Sequence, residues 1–348
     1  DANCPVCGAR DNMIVFGSRA ASLLSVALHH SYASPYNDDK KLIAFSDSVQ
    51  DAAHKAGFFM ARTWQNNVRM ALARALNGQM DLPAFWKYLP QFWSDSSLNP
   101  GAFAPPEYVS QFIAPNMLYY RDYAAMQESG EIPRDSDLLE SIANRMEWEV
   151  LAEFGYRSRI GRSLERTATA ALGFHLEAIQ RAADAARRVL TEELGYLRDL
   201  EQGEVESFIL GFLLHLKSRG AIYHPFMDNY IETGGSYYLL TRQTYLPGFG
   251  PGAPLPRMLI SGNRHSVFDT LELTRGKSWY EIWCEKTLGR DRLLEEGFTR
   301  MVYQPVIDAL VGEGVLRIFE SKGETVWAIN PNTLYLTDEV VELATPDR

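Results

Sequence analysis

Apolar and polar positions along this chain alternate between two periods. Residues 42–45, Leu-Ile-Ala-Phe, form a short apolar run between Lys40 and Lys41 on one side and Ser46 and Asp47 on the other. That is the pattern of a strand buried on both faces of a parallel sheet. Directly after it, Ala52, Ala53, Ala56, Phe59 and Met60 recur at three- and four-residue steps, which places them on one helix face against that sheet. The helix starting near Gln50 is expected to run to about residue 77, where Asn77-Gly78 is a stop signal. Its Arg62, Arg69 and Arg74 read as a solvated face. Upstream, Ala20, Leu23, Leu24, Ala27 and Leu28 predict a helix over residues 18–32, with Ser18 as its N-cap.

Further along, Phe85, Trp86, Tyr88, Phe92 and Trp93 crowd among prolines, and Asn99-Pro100-Gly101 and Pro105-Pro106 punctuate residues 78–106. This predicts a connection whose aromatics pack between units; exposed, they would offer bases a stacking surface. Residues 107–219 read as helical, in segments 108–127, 136–154, 163–200 and 205–218. The region from 208 to 241 predicts a helix followed by short strands about Gly234-Gly235, and residues 247–256 a proline-glycine linker. The C-terminal part repeats the order more clearly: a helix over 297–312, a strand over 314–319, a hairpin turn at Ser321-Lys322-Gly323-Glu324 and a returning strand over 325–329. Helix, strand, turn and strand is the order of a winged helix. Here Arg290, Arg292 and Arg300 are balanced by Glu295, Glu296 and Asp308, which favours a scaffold role over insertion into the major groove.

The 348 residues suffice for two or three domains, and the fold class expected is mainly α with an α/β part. At 46% hydrophobic and 22% charged the chain reads as soluble and globular, and a net charge of −10 excludes a uniformly basic nucleic-acid coat. A local basic groove stays compatible with it, because screening confines each charge to about 10 Å. No apolar run reaches the roughly 20 residues that span a bilayer, so no membrane partner is expected. Three cysteines, two in one motif, argue for a reducing cytoplasm. The start at Asp1 without methionine and the end at Arg348 suggest a piece of something longer.

Three local patterns carry candidate chemistry. Cys4-Pro-Val-Cys7-Gly8 is half of a zinc site, since two thiolates two residues apart reach one tetrahedral ion. A complete site, a truncated ribbon and a redox-inert pair all stay open. Between Gly155 and Arg166, Arg157, Arg159, Arg162 and Arg166 share twelve residues with two glycines. Arginine forks match phosphate oxygens, so a nucleic-acid strand is one reading, and an ion-pair hub with Glu147, Glu149, Glu153 and Glu165 is the other. Gly276-Lys277-Ser278 looks like the end of a phosphate loop, but Leu271 stands where the first glycine belongs. The seven histidines are scattered, with no metalloprotease or nucleophile-elbow motif.

KLIAFSDSVQDAAHKAGFF, with GSRAASL upstream and EFGYRSRIGRSLE downstream, resembles the superfamily 2 DEAD/DEAH-box helicases, in particular the very long bacterial helicases of phage-defence type (DISARM and Druantia among them). The resemblance is distinctive over residues 17–64 and 149–165 and implies the opening of the second RecA-like domain. It divides the chain into a partial zinc knuckle (1–16), the start of that domain (17–78), a helical insertion (79–204), a first winged-helix-like module (205–246), a linker region (247–278) and a second such module (279–348). Ser46, Asp47 and Gln50 would then face nucleic acid or the nucleotide cleft, and Arg157, Arg159 and Arg162, on the strand reading of their cluster, would join them. Cys4 and Cys7 would bind Zn2+. ATP and Mg2+ would belong to the full-length protein, whose Walker and arginine-finger elements are missing here, so this segment alone should hydrolyse nothing. Expected partners are single-stranded or forked DNA, the rest of the helicase chain and other defence-system subunits. A stand-alone winged-helix DNA-binding protein and a protein-interaction scaffold are the alternatives.

Overall fold

A computed structural model describes residues 49–117, 120–158, 163–194, 197–235, 255–262, 266–289 and 298–339, with only the helical backbone for 49–59 and at Arg62. The predicted strand over 42–45 and helix over 18–32 lie outside these residues. The chain divides into two compact units, Asp1–Asn67 and Val68–Arg348. Described elements are mainly helical, with two small sheets.

Helix α1 (Val49–Ala75) begins where the polar turn after residue 45 predicts. Within the second unit it buries Val68, Ala71, Leu72, Ala75 and Leu76, the three- and four-residue spacing of one helix face. Gly78, at φ +71°, follows its end. Strand β1 (Gln79–Asp81) leads directly into helix α2 (Leu82–Ser94), so part of the expected connection is helix. The aromatics read there as linker packing are its core face, with Leu82, Phe85, Trp86, Leu89 and Trp93 buried. Proline misled because Pro83 sits in the first turn, where its missing N–H removes no helical bond. Pro90 lies inside the helix and is tolerated there. Trp93 anchors the turn by donating from Nε1 to the Ala71 carbonyl at 3.2 Å and stacking on Phe103.

Helices α3 (Pro105–Phe112) and α4 (Arg121–Ser129) replace the single expected helix over 108–127, with Pro115–Met117 as a 3-10 turn between them. Helix α5 (Leu138–Phe154) is covered on every side over its last two turns, where Trp148, Glu149, Val150, Leu151, Ala152, Glu153 and Phe154 are all buried. It packs against α2 and α3 and carries ionised groups into the interior.

The helix expected over 163–200 is broken. Residues 164–169 turn, strand β2 (Ala171–Phe174) follows, and helix α6 (Leu176–Glu193) starts only then. Side-chain hydroxyls compete with the helical ladder here: Ser163 Oγ donates to the Ser158 carbonyl at 2.6 Å and Thr167 Oγ1 to the Ser163 carbonyl at 3.1 Å. Strand β7 (Leu334–Thr337) lies between β1 and β2, antiparallel to both, pairing Leu336 with Met80 and Leu172. The far end of the chain thus completes the sheet begun at residue 79.

Helix α7 (Gln202–Ser218) opens on a reciprocal cap between Glu201 and Glu204 and closes on Gly220 at φ +78°. Gly220 N–H donates to the Lys217 carbonyl and Ala221 N–H to the Leu216 carbonyl, the left-handed ending that glycine makes cheap. After it, Met227–Glu232 forms helix α8; the strands expected next to Gly234-Gly235 fall in part on residues 236–241, outside those described. Strands β3 (Leu259–Ile260) and β4 (Asp269–Thr270), helices α9 (Trp279–Leu288) and α10 (Phe298–Gly312), and strands β5 (Leu316–Ser321) and β6 (Glu324–Ile329) complete the chain. The second sheet runs β4-β3-β6-β5, antiparallel except for the β3–β4 pair. Its β5–β6 hairpin turns on Lys322 and Gly323, both at positive φ, as its four-residue sequence predicts. α10 packs on α6 and α9, and α9 on α7.

Candidate functional site

Of the sequence-predicted site residues, Cys4, Cys7, Ser46, Asp47, Arg159 and Arg162 lie outside the described residues, and Gln50 sits in the first turn of α1. Arg157 requires a correction. Expected to meet a nucleic-acid strand, it is only 8% exposed and pairs with Glu149. Arg145, one turn before Glu149 on α5, donates from Nε to the same carboxylate at 2.8 Å. Burial works to raise the Glu149 carboxyl, but the Arg157 and Arg145 guanidiniums outweigh it and hold the group below its ordinary value. Glu149 thus stays ionised in the interior.

Two further ion pairs flank this one. Arg69, read from sequence as solvated, donates from Nε to both oxygens of Glu153 at 2.8 and 2.9 Å. Glu153 also accepts from Leu164 N–H at 2.9 Å. Glu165 pairs with Lys217 and accepts from Leu172 N–H at 3.1 Å, so it ties α7 to β2. Around Arg157 stands an aromatic wall: Trp148 Nε1 donates to the Tyr156 hydroxyl at 3.1 Å, which lies 3.4 Å from the Tyr230 hydroxyl. His224 meets the edges of Trp86 and Trp148 and accepts the Phe226 N–H on Nδ1 at 3.2 Å. Burial lowers its pKa from 6.5 to about 4, so it is neutral at pH 7. Of this, the sequence offered the hub reading, in which Arg157 meets Glu149; the partners of Glu153 and Glu165 and the aromatic wall were not legible.

Gly276-Lys277-Ser278 forms a helix start. Gly276 turns at φ +74°, Ser278 Oγ donates to the Leu271 carbonyl and accepts Glu281 N–H, and Glu281 returns a bond to Ser278 N–H. Lys277 Nζ reaches Glu285 at 2.6 and 2.7 Å. With its hydroxyl and ammonium committed in this way, the tripeptide does not fit Mg2+-nucleotide in the manner of a phosphate loop. Among the described residues no cluster of His, Cys, Asp and Glu has the makeup of a metal site.

An open cavity of about 660 Å³ lies between the C-terminal end of α7, β4, and the N-terminus of α9. Arg219, next to the α7 cap, donates to Asp269 in β4 through Nε at 2.8 Å and a terminal nitrogen at 3.0 Å. Arg257 approaches the same carboxylate at 3.5 Å, and its backbone N–H is held by the Arg219 carbonyl at 2.9 Å. Arg275 lies on the loop before α9, exposed. Trp279, the first residue of α9, stacks on His215 of α7 with ring centroids 3.7 Å apart. The floor includes Tyr280, which is 2% exposed. Burial raises its hydroxyl well above the ordinary pKa, Asp269 adds to this and Arg219 opposes it, so the group remains a donor. Sequence reasoning missed this place because its arginines are dispersed over 219–275 and converge only through β4.

The helix and hairpin that would meet DNA in a winged helix carry mixed charge, part of it engaged within the chain. α10 packs on α6; its exposed positions include Arg300, Met301, Gln304 and Asp308. Arg300 lies 3.7 Å from Glu272, and Gln304 donates to Asp308 at 2.8 Å. At the hairpin, Lys322 N–H donates to Glu232 at 2.9 Å, and the Arg317 guanidinium lies 4.0 Å from the centre of the Tyr223 ring.

No protein-family model, curated protein or solved structure matches this chain.

Proposed function

We propose that this chain is a segment of a superfamily 2 DNA helicase or translocase, in which residues 68–348 guide a strand and brace the motor. The observation that carries this reading is the order α7, β3, α9, α10, β5, β6 with β3-β6-β5 adjacency. The order is compatible with one winged helix that takes its first helix from the first expected module and the rest from the second, with α8 inserted after the first helix and β4 after the first strand. The resemblance of residues 17–64 to the opening of a second RecA-like domain supports the same reading, and the helix expected after residues 42–45 starts at Val49. ATP hydrolysis in such a motor needs phosphate and magnesium loops that the present residues do not supply; this segment's part is mechanical.

The winged-helix unit acts as a scaffold rather than as a major-groove reader, because α10 and the hairpin tip are engaged with α6, Glu232 and Tyr223. The same engagement favours a protein-interaction scaffold as the second reading over a stand-alone DNA-binding regulator. A gel-shift series over single strand, duplex and fork at two salt concentrations separates the three. Salt-sensitive binding of single strand and fork above duplex is expected. Tight duplex binding would contradict the scaffold role, and no binding of any form at low salt would leave the interaction scaffold.

A further inference from the structure

The cavity at the α9 N-terminus holds three features that the fold does not use. The Tyr280 hydroxyl is buried and has no hydrogen-bond partner among the described residues, although buried polar groups are almost always satisfied. The first N–H groups of a helix have no partner within it. Ser278 Oγ takes that of Glu281, which leaves those of Trp279 and Tyr280 at the cavity. Arg275 forms no ion pair with the described residues.

The net charge is positive. Arg219, Arg257 and Arg275 line the cavity against the single carboxylate of Asp269, 3 − 1 = +2. Asp269 holds Arg219 and Arg257 in place without cancelling both. Of the neighbouring carboxylates, Glu281 is spent on the Ser278 N–H and Glu285 on Lys277. Planar guanidinium forks, backbone N–H groups at a helix start and a neutral hydroxyl are together the donor set of a phosphate oxyanion. The volume of about 660 Å³ also admits the sugar attached to it.

We propose that this cavity binds a phosphate group, held by Arg275, the α9 N-terminus and the Tyr280 hydroxyl, in the field of Arg219 and Arg257. The assignment rests on the helicase reading only for the source of the phosphate, a strand's phosphodiester rather than a free nucleotide. Lys277, turned to Glu285, takes no part, which sets the site apart from a magnesium-nucleotide loop.

The test uses the whole 348-residue chain without magnesium, titrated with thymidine monophosphate and with a twelve-residue oligothymidine. The variants are Tyr280→Phe, which removes only the unused hydroxyl, and Arg275→Glu. Both are expected to melt at or above the parent temperature. Tyr280→Phe is expected to weaken binding about tenfold, the worth of one hydrogen bond to a charged group, and Arg275→Glu by about tenfold or more. Loss for the oligonucleotide alone supports the site with a strand as its source; loss for the monophosphate alone supports it with a free nucleotide and counts against the strand reading. Loss for both supports the phosphate site itself. If the parent chain binds and neither variant weakens binding of either ligand, the site is overturned while the helicase reading stands. Failure of the parent chain to bind either ligand overturns the site.

Discussion

Two buried residues set the most specific expectations. Glu149 is the carboxylate that Arg145 and Arg157 share in a region with little access to water, so Glu149→Gln removes a buried charge from both pairs. Breaking a buried ion pair from one side costs roughly 3–5 kcal/mol, and a urea midpoint unchanged by this substitution would contradict the assigned role. His224 gives the acid response a sign. Its folded pKa of about 4 lies below the ordinary 6.5, so the unfolded chain binds the extra proton between those values. Stability from this group is therefore full above pH 6.5 and declines as pH falls to about 4, by about 3 kcal/mol in all. His224→Phe should flatten the fall in melting temperature across that window, and an unaltered slope would show that the ring takes up its proton as readily folded as unfolded.

At the scale of elements, α7 and α9 meet through a glycine. A Cβ at Gly211 would lie 2.0 Å from the Trp283 ring, whose Nε1 donates to the Phe208 carbonyl at 3.0 Å. Gly211→Ala is thus an overpacking substitution, expected to cost about 1–3 kcal/mol and to shift tryptophan fluorescence; a silent variant would mean the helices separate freely. The α9 start gives a paired expectation. Ser278→Ala should cost about 1 kcal/mol through the lost cap, whereas Lys277→Ala, which breaks an exposed pair with Glu285, should cost under about 1 kcal/mol. The reverse ranking in a denaturant series would mean the lysine, not the cap, holds this turn. What sequence revealed about these elements depended on how local their causes are. The Lys322-Gly323 hairpin and the Gly78 stop follow from neighbouring residues. Helix α2 was hidden by Pro90, and β2 by a pairing partner, β7, supplied from the other end of the chain. For Arg157 the sequence left a strand and an ion-pair hub both open, and the choice between them depends on the burial of Glu149 by α2 and α3, which no local pattern reveals.

For the whole molecule, the central claim is that this chain attends a nucleic-acid strand without reading duplex sequence. In the proposed winged-helix reading α10 and the hairpin pack within the chain, and three of the described arginines converge on one cavity. The most direct measurement is the salt dependence of binding to single-stranded and duplex oligonucleotides. A net charge of +2 beside a single strand predicts that log affinity falls with log salt at a slope of about −1.4, with duplex bound more weakly. A steeper slope with preference for duplex, or no salt-dependent binding to either form, would contradict it.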